Sequence, residues 1–260
     1  MKVQELLFKL NNEYNFKLAE DFDDVGLIIG SLSAEVQQVM TCLNLNLDVC
    51  NCAVEKGCNV IISHHPNILF ADIYNNDNKF ISKNGIIKET YKGKLLNYII
   101  KNNLNVICLH TNVDFENASI SRWIGKYFGY KTLSEMVVDD KVLGIVVEIN
   151  QNFADTLSKL KKKCNRVLNY IGNEEKLIKT ALIIGGSGKS FTKYFVNSEI
   201  DLYITGDIDY STFHDVLVQK GDGCLVDMGH DMEKVFENNV LKNIDVKWCS
   251  YNYKPIVKQF

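Results

Sequence analysis

Two adjacent histidines, His64 and His65, close the apolar run Val60-Ile-Ile-Ser-His-His-Pro66. Val60–Ile62 predicts a buried strand. Pro66 has no N–H for a sheet ladder, so the strand should stop at the histidines. In open α/β sheets the carboxyl ends of strands are where ligands bind. Neutral imidazoles at such a place suit a borderline dication: Zn, Fe, Mn or Ni. Of five histidines, four (His64, His65, His110 and His230) end strand-like apolar runs. Further donors lie in His110-Thr-Asn-Val-Asp114 and Gly229-His-Asp-Met-Glu233. If a helix begins at the second, His230 and Glu233 share one face. Neighbouring strand residues point to opposite faces, so His64 and His65 fit two ions, one each, better than one chelated ion. Asp114 and Glu233 can each bridge two cations, and a metal pair about 3.5–4 Å apart can clamp and activate a water for hydrolysis. Read singly, Asp114 is equally a helix N-cap, and Glu233 a solvated first-turn charge.

The elements that must position these donors alternate between apolar runs and amphipathic helical stretches, the pattern of an α/β protein. The runs form two echoing sets. The first is Val25–Gly30, Val60–His65 and Val106–Asp114; the second is Thr180–Gly188, Leu202–Asp207 and Cys224–His230. In each, a glycine-ended strand is followed by one ending in a polar doublet, then by one ending in a histidine-bearing loop. The expected architecture is two similar α/β lobes, residues 1–130 and 131–260, facing a central metal-binding cleft. Gly144–Asn150 reads as a strand of the second lobe. Phe153–Cys164 reads as a helix with Phe153, Leu157 and Leu160 on one face, and Met232–Leu241 as another helix.

Composition narrows the function. A 260-residue chain, 46% hydrophobic and 23% charged, has the balance of a globular protein able to bury one large core or two smaller ones. Its formal charge of −3 leaves no basic excess for a phosphate backbone, and only Arg122 and Arg166 could supply a guanine-reading fork. Nucleic-acid binding is therefore disfavoured. No signal peptide is visible, and no apolar run reaches the ~18 residues of a membrane span. None of the eight cysteines forms a C-x-x-C pair. Cys108 and Cys224 read as small core residues, Cys50-Asn-Cys52 as helix surface, and the whole as a reduced cytoplasmic protein.

Two other motifs carry less. Gly186-Ser-Gly-Lys-Ser190 ends like a phosphate-binding loop, but position 183, where that loop needs its first glycine, is isoleucine. Gly206-Asp-Ile-Asp209 is similar to a metallophosphoesterase segment, without the Asn-His pair in the right order.

Taken in order, the motifs resemble those of the GTP cyclohydrolase 1 type 2 homolog family (Nif-three-like) over nearly the whole chain. Leu18-Ala-Glu-Asp-Phe-Asp-Asp-Val-Gly-Leu-Ile-Ile-Gly30 is similar to its opening segment. Ile62–Pro66, Leu109–Asp114 and Asp227–Glu233 are similar to its metal motifs, and Thr205–Tyr210 to its glycine-aspartate segment. The resemblance implies a two-lobed α/β fold, two divalent metal ions and a ring of six subunits. It implies His64, His65, Asp114, His230 and Glu233 as ligands, with His110 close by. There are two departures. Only two residues separate His230 from Glu233, which leaves Asp231 as the competing acid. Ser211 stands after Tyr210 where the family often has a histidine, and His214 follows later.

Two functions follow as expectations. One is a metal-dependent hydrolase acting on a nucleotide-like or phosphoester substrate, with His110 moving protons. The other is a non-enzymatic, ring-shaped metal-binding scaffold or adaptor. A subunit interface is one reading of Tyr74, Phe80, Ile81, Tyr91 and Tyr98, and the family resemblance carries it toward a homo-oligomer, a hexamer. These residues crowd the connection that is long only in the first set of runs, where they could cover their own core or form an interface.

Overall fold

The structure is a computed structural model and describes residues 1–65, 91–252 and 254. Pro66, Tyr74, Phe80 and Ile81 lie outside the described residues. The chain is α/β and forms two compact units. Residues 1–65, 91–113 and 236–252 supply the described part of the first, and Asp114–Val235 with Lys254 that of the second.

In the first unit five strands order as β1-β4-β3-β2-β11: β1 (Gly26–Ile29), β2 (Val39–Cys42), β3 (Val60–Ser63), β4 (Asn105–Cys108) and β11 (Trp248–Ser250). β11, β2, β3 and β4 are parallel, and β1 closes the edge antiparallel to β4. Every residue of β2, β3 and β4 is buried. That is why they read as unbroken apolar runs and not as alternating ones. One face packs Met40, Ile61 and Val106 against helix Leu47–Glu55, through Val49, Cys50 and Ala53, and against helix Tyr91–Lys101, through Leu95 and Ile99. Asn46 starts the former helix by accepting a hydrogen bond from the Val49 N–H at 2.9 Å. Of the aromatics expected at a surface, Tyr91 is exposed, whereas Tyr98 packs against this core.

The second unit holds six strands ordered β5-β6-β8-β9-β10-β7: β5 (Lys131–Val138), β6 (Lys141–Asn152), β7 (Asn169–Ile171), β8 (Leu177–Ser187), β9 (Leu202–Gly206) and β10 (Cys224–Asp227). β8, β9 and β10 are parallel, with antiparallel strands on both flanks. Helix Phe153–Cys164 occupies the predicted range and buries Phe153, Leu157 and Leu160. Helix Ser119–Phe128 buries Ile120, Ile124 and Phe128. It carries Gly125, where a Cβ would come within 2.9 Å of the Ile145 side-chain tip, so a larger residue there would require Ile145 to shift.

The internal echo holds with one exchange of partners. Three consecutive parallel strands, β2-β3-β4, stand in the first unit as β8-β9-β10 do in the second. The counterpart of β8 is therefore β2, and not the glycine-ended run 25–30, which is the antiparallel edge strand β1. Both runs are short and apolar, so periodicity alone could not choose between them.

No helix among the described residues is long and apolar enough to cross a membrane. Ile61 is fully buried in the strand that leads to His64. Ile61→Ala should lower unfolding free energy by about 2–5 kcal/mol, read as an earlier urea midpoint. An unchanged midpoint would contradict this account of the core.

Candidate metal centre

In the first unit the parallel strands deliver their carboxyl ends to one place. β3 ends in His64 and His65, and β4 runs on to His110. The imidazole centroids lie 5.1 Å (His64–His65), 5.3 Å (His64–His110) and 5.8 Å (His65–His110) apart. His64 is fully buried, with its ring 4.9 Å from that of Phe236.

Each ring is held through Nδ1. His64 Nδ1 meets the Leu109 carbonyl at 2.9 Å, His65 Nδ1 meets Asn44 Oδ1 at 2.6 Å, and His110 Nδ1 meets Asp23 Oδ2 at 2.8 Å. A carbonyl can only accept, so Nδ1 carries the hydrogen and, in a neutral ring, Nε2 carries the lone pair. That is how metal-ligating histidines are oriented from behind. Asn44 follows β2, so three parallel strands contribute to the arrangement.

Asp23 is the functional residue that the sequence reading missed. Its carboxylate also accepts from the Thr111 N–H (3.0 Å) and hydroxyl (2.6 Å). Burial pushes its pKa up, but the hydrogen bond and charge of His110, with the two bonds from Thr111, outweigh burial and lower it. Asp23 Oδ1 is buried with no hydrogen-bond partner among the described residues, an orphan that a water or cation would satisfy. The available signal was the acidic cluster Asp21-Phe-Asp-Asp24, which motif reading absorbed without assigning a partner. Asn112 braces the loop by accepting from the His110 N–H at 2.9 Å and donating to the Tyr14 carbonyl at 3.0 Å. Asp114 is half-buried inside the short helix Thr111–Phe115 and does not cap the next helix, Ser119–Phe128, whose N-cap is Ala118.

The second unit repeats the device. His230 Nδ1 meets Asp207 Oδ2 at 2.6 Å, from the end of β9, and its Nε2 meets Glu233 Oε2 at 3.0 Å. A 3-10 helix begins at His230 and runs to Asn238, which turns Glu233 toward the imidazole despite the shortened spacing. Glu233 is buried, not a solvated surface charge. Asp231 instead pairs with Arg166. The Glu233 hydrogen bond raises the His230 pKa to about 10 against the opposing effect of burial, with the Glu233 charge and Asp207 helping. Asp207 sits at φ +57°, a left-handed conformation uncommon outside glycine. Gly186, at φ +63°, lies where a Cβ would run into the Glu233 carboxylate. This glycine of the loop-like motif is thus needed for the carboxylate and not for a phosphate. Lys189 of that motif pairs with Asp209. Asp209 caps helix Tyr210–Lys220 through the Thr212 N–H at 2.9 Å. The Lys189 and Thr212 hydrogen bonds hold its carboxyl well below the usual range. His214, on that helix, is exposed and stands near Asp215 and the Tyr210 ring, apart from His230.

His64 and His65 in the first unit, and Glu233 beside His230 in the second, are each of the donor type that a metal ion takes. A buried and a half-buried imidazole with fixed tautomers, and a buried carboxylate, are donors of the kind a borderline dication takes.

A family model described as Duf34/NIF3 (NGG1p interacting factor 3) matches residues 1–254. A relative from Clostridium acetobutylicum named GTP cyclohydrolase 1 type 2 homolog is 35% identical over 243 residues, covering 88% of this chain and 84% of its own. A protein of the same name from Staphylococcus aureus is 34% identical over 134 residues, 52% of this chain but only 33% of its own length. The crystal structure of Staphylococcus aureus hypothetical protein SA1388 matches with a TM-score of 0.84 at 26% identity, over 100% of this chain and 99% of that one.

Two outcomes follow from the geometry. Gly186→Ala should weaken metal binding about 10–100-fold by displacing Glu233, as loss of a supporting contact does; titration with Zn or Mn reads it, and unchanged affinity would refute the packing argument. In chelator-treated protein, the raised His230 pKa contributes stability that is full below the unfolded-state value of ~6.5. That contribution is lost as pH rises toward about 10. Between pH 6.5 and 8.5 the wild type should therefore lose stability relative to His230→Gln, and parallel denaturation curves would contradict this.

Proposed function

The chain belongs to the Duf34/NIF3 (NGG1p interacting factor 3) family, and on that footing we propose a metal-dependent hydrolase with a dinuclear centre, acting on a nucleotide-like or phosphoester substrate. The proposed ligands are His64, His65, Asp114, His230 and Glu233. The observation that carries the reading is the anchoring of His64, His65, His110 and His230 through Nδ1 to an oxygen. One such contact satisfies a core histidine; four rings each fixed through Nδ1 to an oxygen is the way ligating histidines are oriented from behind.

A dication bound there supplies Lewis acidity, polarising a substrate oxygen and making a water acidic near neutral pH. The chain's own residues do the rest. Asp23 fixes the tautomer and orientation of His110, which places that ring to take a proton from water and return it to the leaving group. Asp207 does the same orienting work for His230. Leu109 and Asn44 hold His64 and His65 without adding charge.

A pocket of about 610 Å³ in the second unit supports a planar substrate. It is lined by Tyr170, Ile208, Tyr210, Phe213, His214 and Leu217. Its lining residue Ile208 directly follows Asp207, the side chain that orients His230. Aromatic walls suit a ring stacked on its face. The relatives' name points to GTP as one substrate to test. Both arginines are engaged, Arg122 with Glu135 and Arg166 with Asp231, so the proposal does not assign them to guanine or triphosphate. Cytoplasmic residence, in keeping with eight free thiols, and assembly into a homo-oligomeric ring belong to the same proposal.

Metal analysis of the purified protein should find about two ions per chain, and metal-loaded protein should hydrolyse GTP or an activated phosphodiester. His110→Ala should keep the metal and lower kcat about 10²–10⁴-fold. Full metal content with no turnover on either substrate class would favour the scaffold reading, and loss of metal in His110→Ala would make His110 a ligand.

A further inference from the structure

Cys58 and Cys249 are 191 positions apart in sequence, and their sulfurs lie 3.7 Å from each other. Both belong to the first unit and neither takes part in the metal chemistry. Cys58 sits on the turn that leads helix Leu47–Glu55 into β3, its N–H bonded to the Ala53 carbonyl at 2.8 Å, and is nearly fully buried. Cys249 is the middle residue of β11, level with Met40 of β2, and is half-exposed. A disulfide has an S–S bond of ~2.05 Å, so closure requires the sulfurs to approach by under ~2 Å. One sulfur sits on a turn and the other on a sheet edge, the kinds of position that can supply such a movement.

We propose that Cys58 and Cys249 form a reversible intramolecular disulfide, closed by exchange with a low-molecular-weight disulfide such as oxidised glutathione. The Cys249 thiolate, reachable from solvent, attacks one sulfur of the small disulfide and expels a thiolate, leaving a mixed disulfide on Cys249. Cys58 then loses its proton, and its sulfur attacks the Cys249 sulfur. The mixed bond breaks and the second small thiolate leaves. Two protein thiols are oxidised, and one external disulfide is reduced to two thiols.

Access sets the order of the two attacks. Burial, then the Cys249 contact, pushes the Cys58 thiol up to about 12, so Cys58 resolves and does not initiate, and closure is slow at neutral pH. Cys42 and Cys108 are buried completely and offer an external oxidant no entry. The bond would tie the edge strand β11 to the residue pair that opens β3, closing a very long loop, the case in which a cross-link restricts the unfolded chain most. In a reducing compartment such a bond forms transiently, as a response to oxidant.

The test treats the whole protein with oxidised glutathione or with a phosphine reductant, alkylates the remaining thiols, and maps the products by mass spectrometry without reduction. The expected product is a cross-linked peptide pair carrying Cys58 and Cys249, with the other cysteines alkylated. Its thermal midpoint should be higher by roughly 5 °C or more than that of the reduced form. Cys58→Ser should stop at the mixed disulfide, carrying one glutathione on Cys249. Cys249→Ser, at a half-exposed position, should fold and form neither product. Alkylation of all eight cysteines after oxidation, a cross-link at a different pair such as Cys52–Cys249, or glutathione on Cys58 in Cys249→Ser would each overturn the proposal. The metal reading is untouched by any of these outcomes.

Discussion

A backbone or side-chain oxygen behind each imidazole is the constraint on which the rest of the site depends. An imidazole has two nitrogens and one exchangeable hydrogen when neutral. Fixing that hydrogen on Nδ1 decides which nitrogen can give a lone pair. Leu109, Asn44, Asp23 and Asp207 make that choice for His64, His65, His110 and His230. Three of the four lie one or two residues past the carboxyl end of a parallel strand. There the ladder has run out, and polar groups no longer have neighbouring strands to bond. The sheets therefore do more than carry the histidines: they also supply the oxygens that orient them.

The two kinds of acceptor divide the labour. A carbonyl or amide oxygen orients without charge, which leaves the ring neutral and ready to ligate. A carboxylate orients and also stabilises the imidazolium. His64 and His65 have the first kind, His110 and His230 the second.

Strands β3, β4 and β9 were legible because they are buried throughout, β8 and β10 because each holds an unbroken buried apolar stretch, and helix Phe153–Cys164 because its apolar period is regular. The histidine motifs were legible because each directly follows such a run. The second layer was not. Asp23 and His110 are joined across 87 positions, and nothing local in Asp-Phe-Asp-Asp says which of its acids turns inward. Asn44 was hidden because β2 has only four residues and no pattern to mark its end. The role of Gly186 was masked by a likeness to a phosphate loop. The pairing of β11 with β2 was likewise invisible: Trp248-Cys-Ser250 is too short to carry a period, and only the sheet shows that it belongs beside Val39–Cys42.

That pairing has a consequence for biosynthesis. The first unit is discontinuous: its fifth strand comes from residues made only after the whole of Asp114–Val235 has left the ribosome. At about 5–20 residues per second, the wait is on the order of ten seconds. Through that interval β2, whose four residues are all buried in the finished fold, presents an unpaired edge, the kind of surface that recruits stray strands from other nascent chains. All six strands of the second unit's sheet lie within Asp114–Val235 and are made before β11. Vectorial synthesis therefore places the most aggregation-prone moment of this protein before its last strand arrives, in a window that a chaperone holding the edge of β2 would cover.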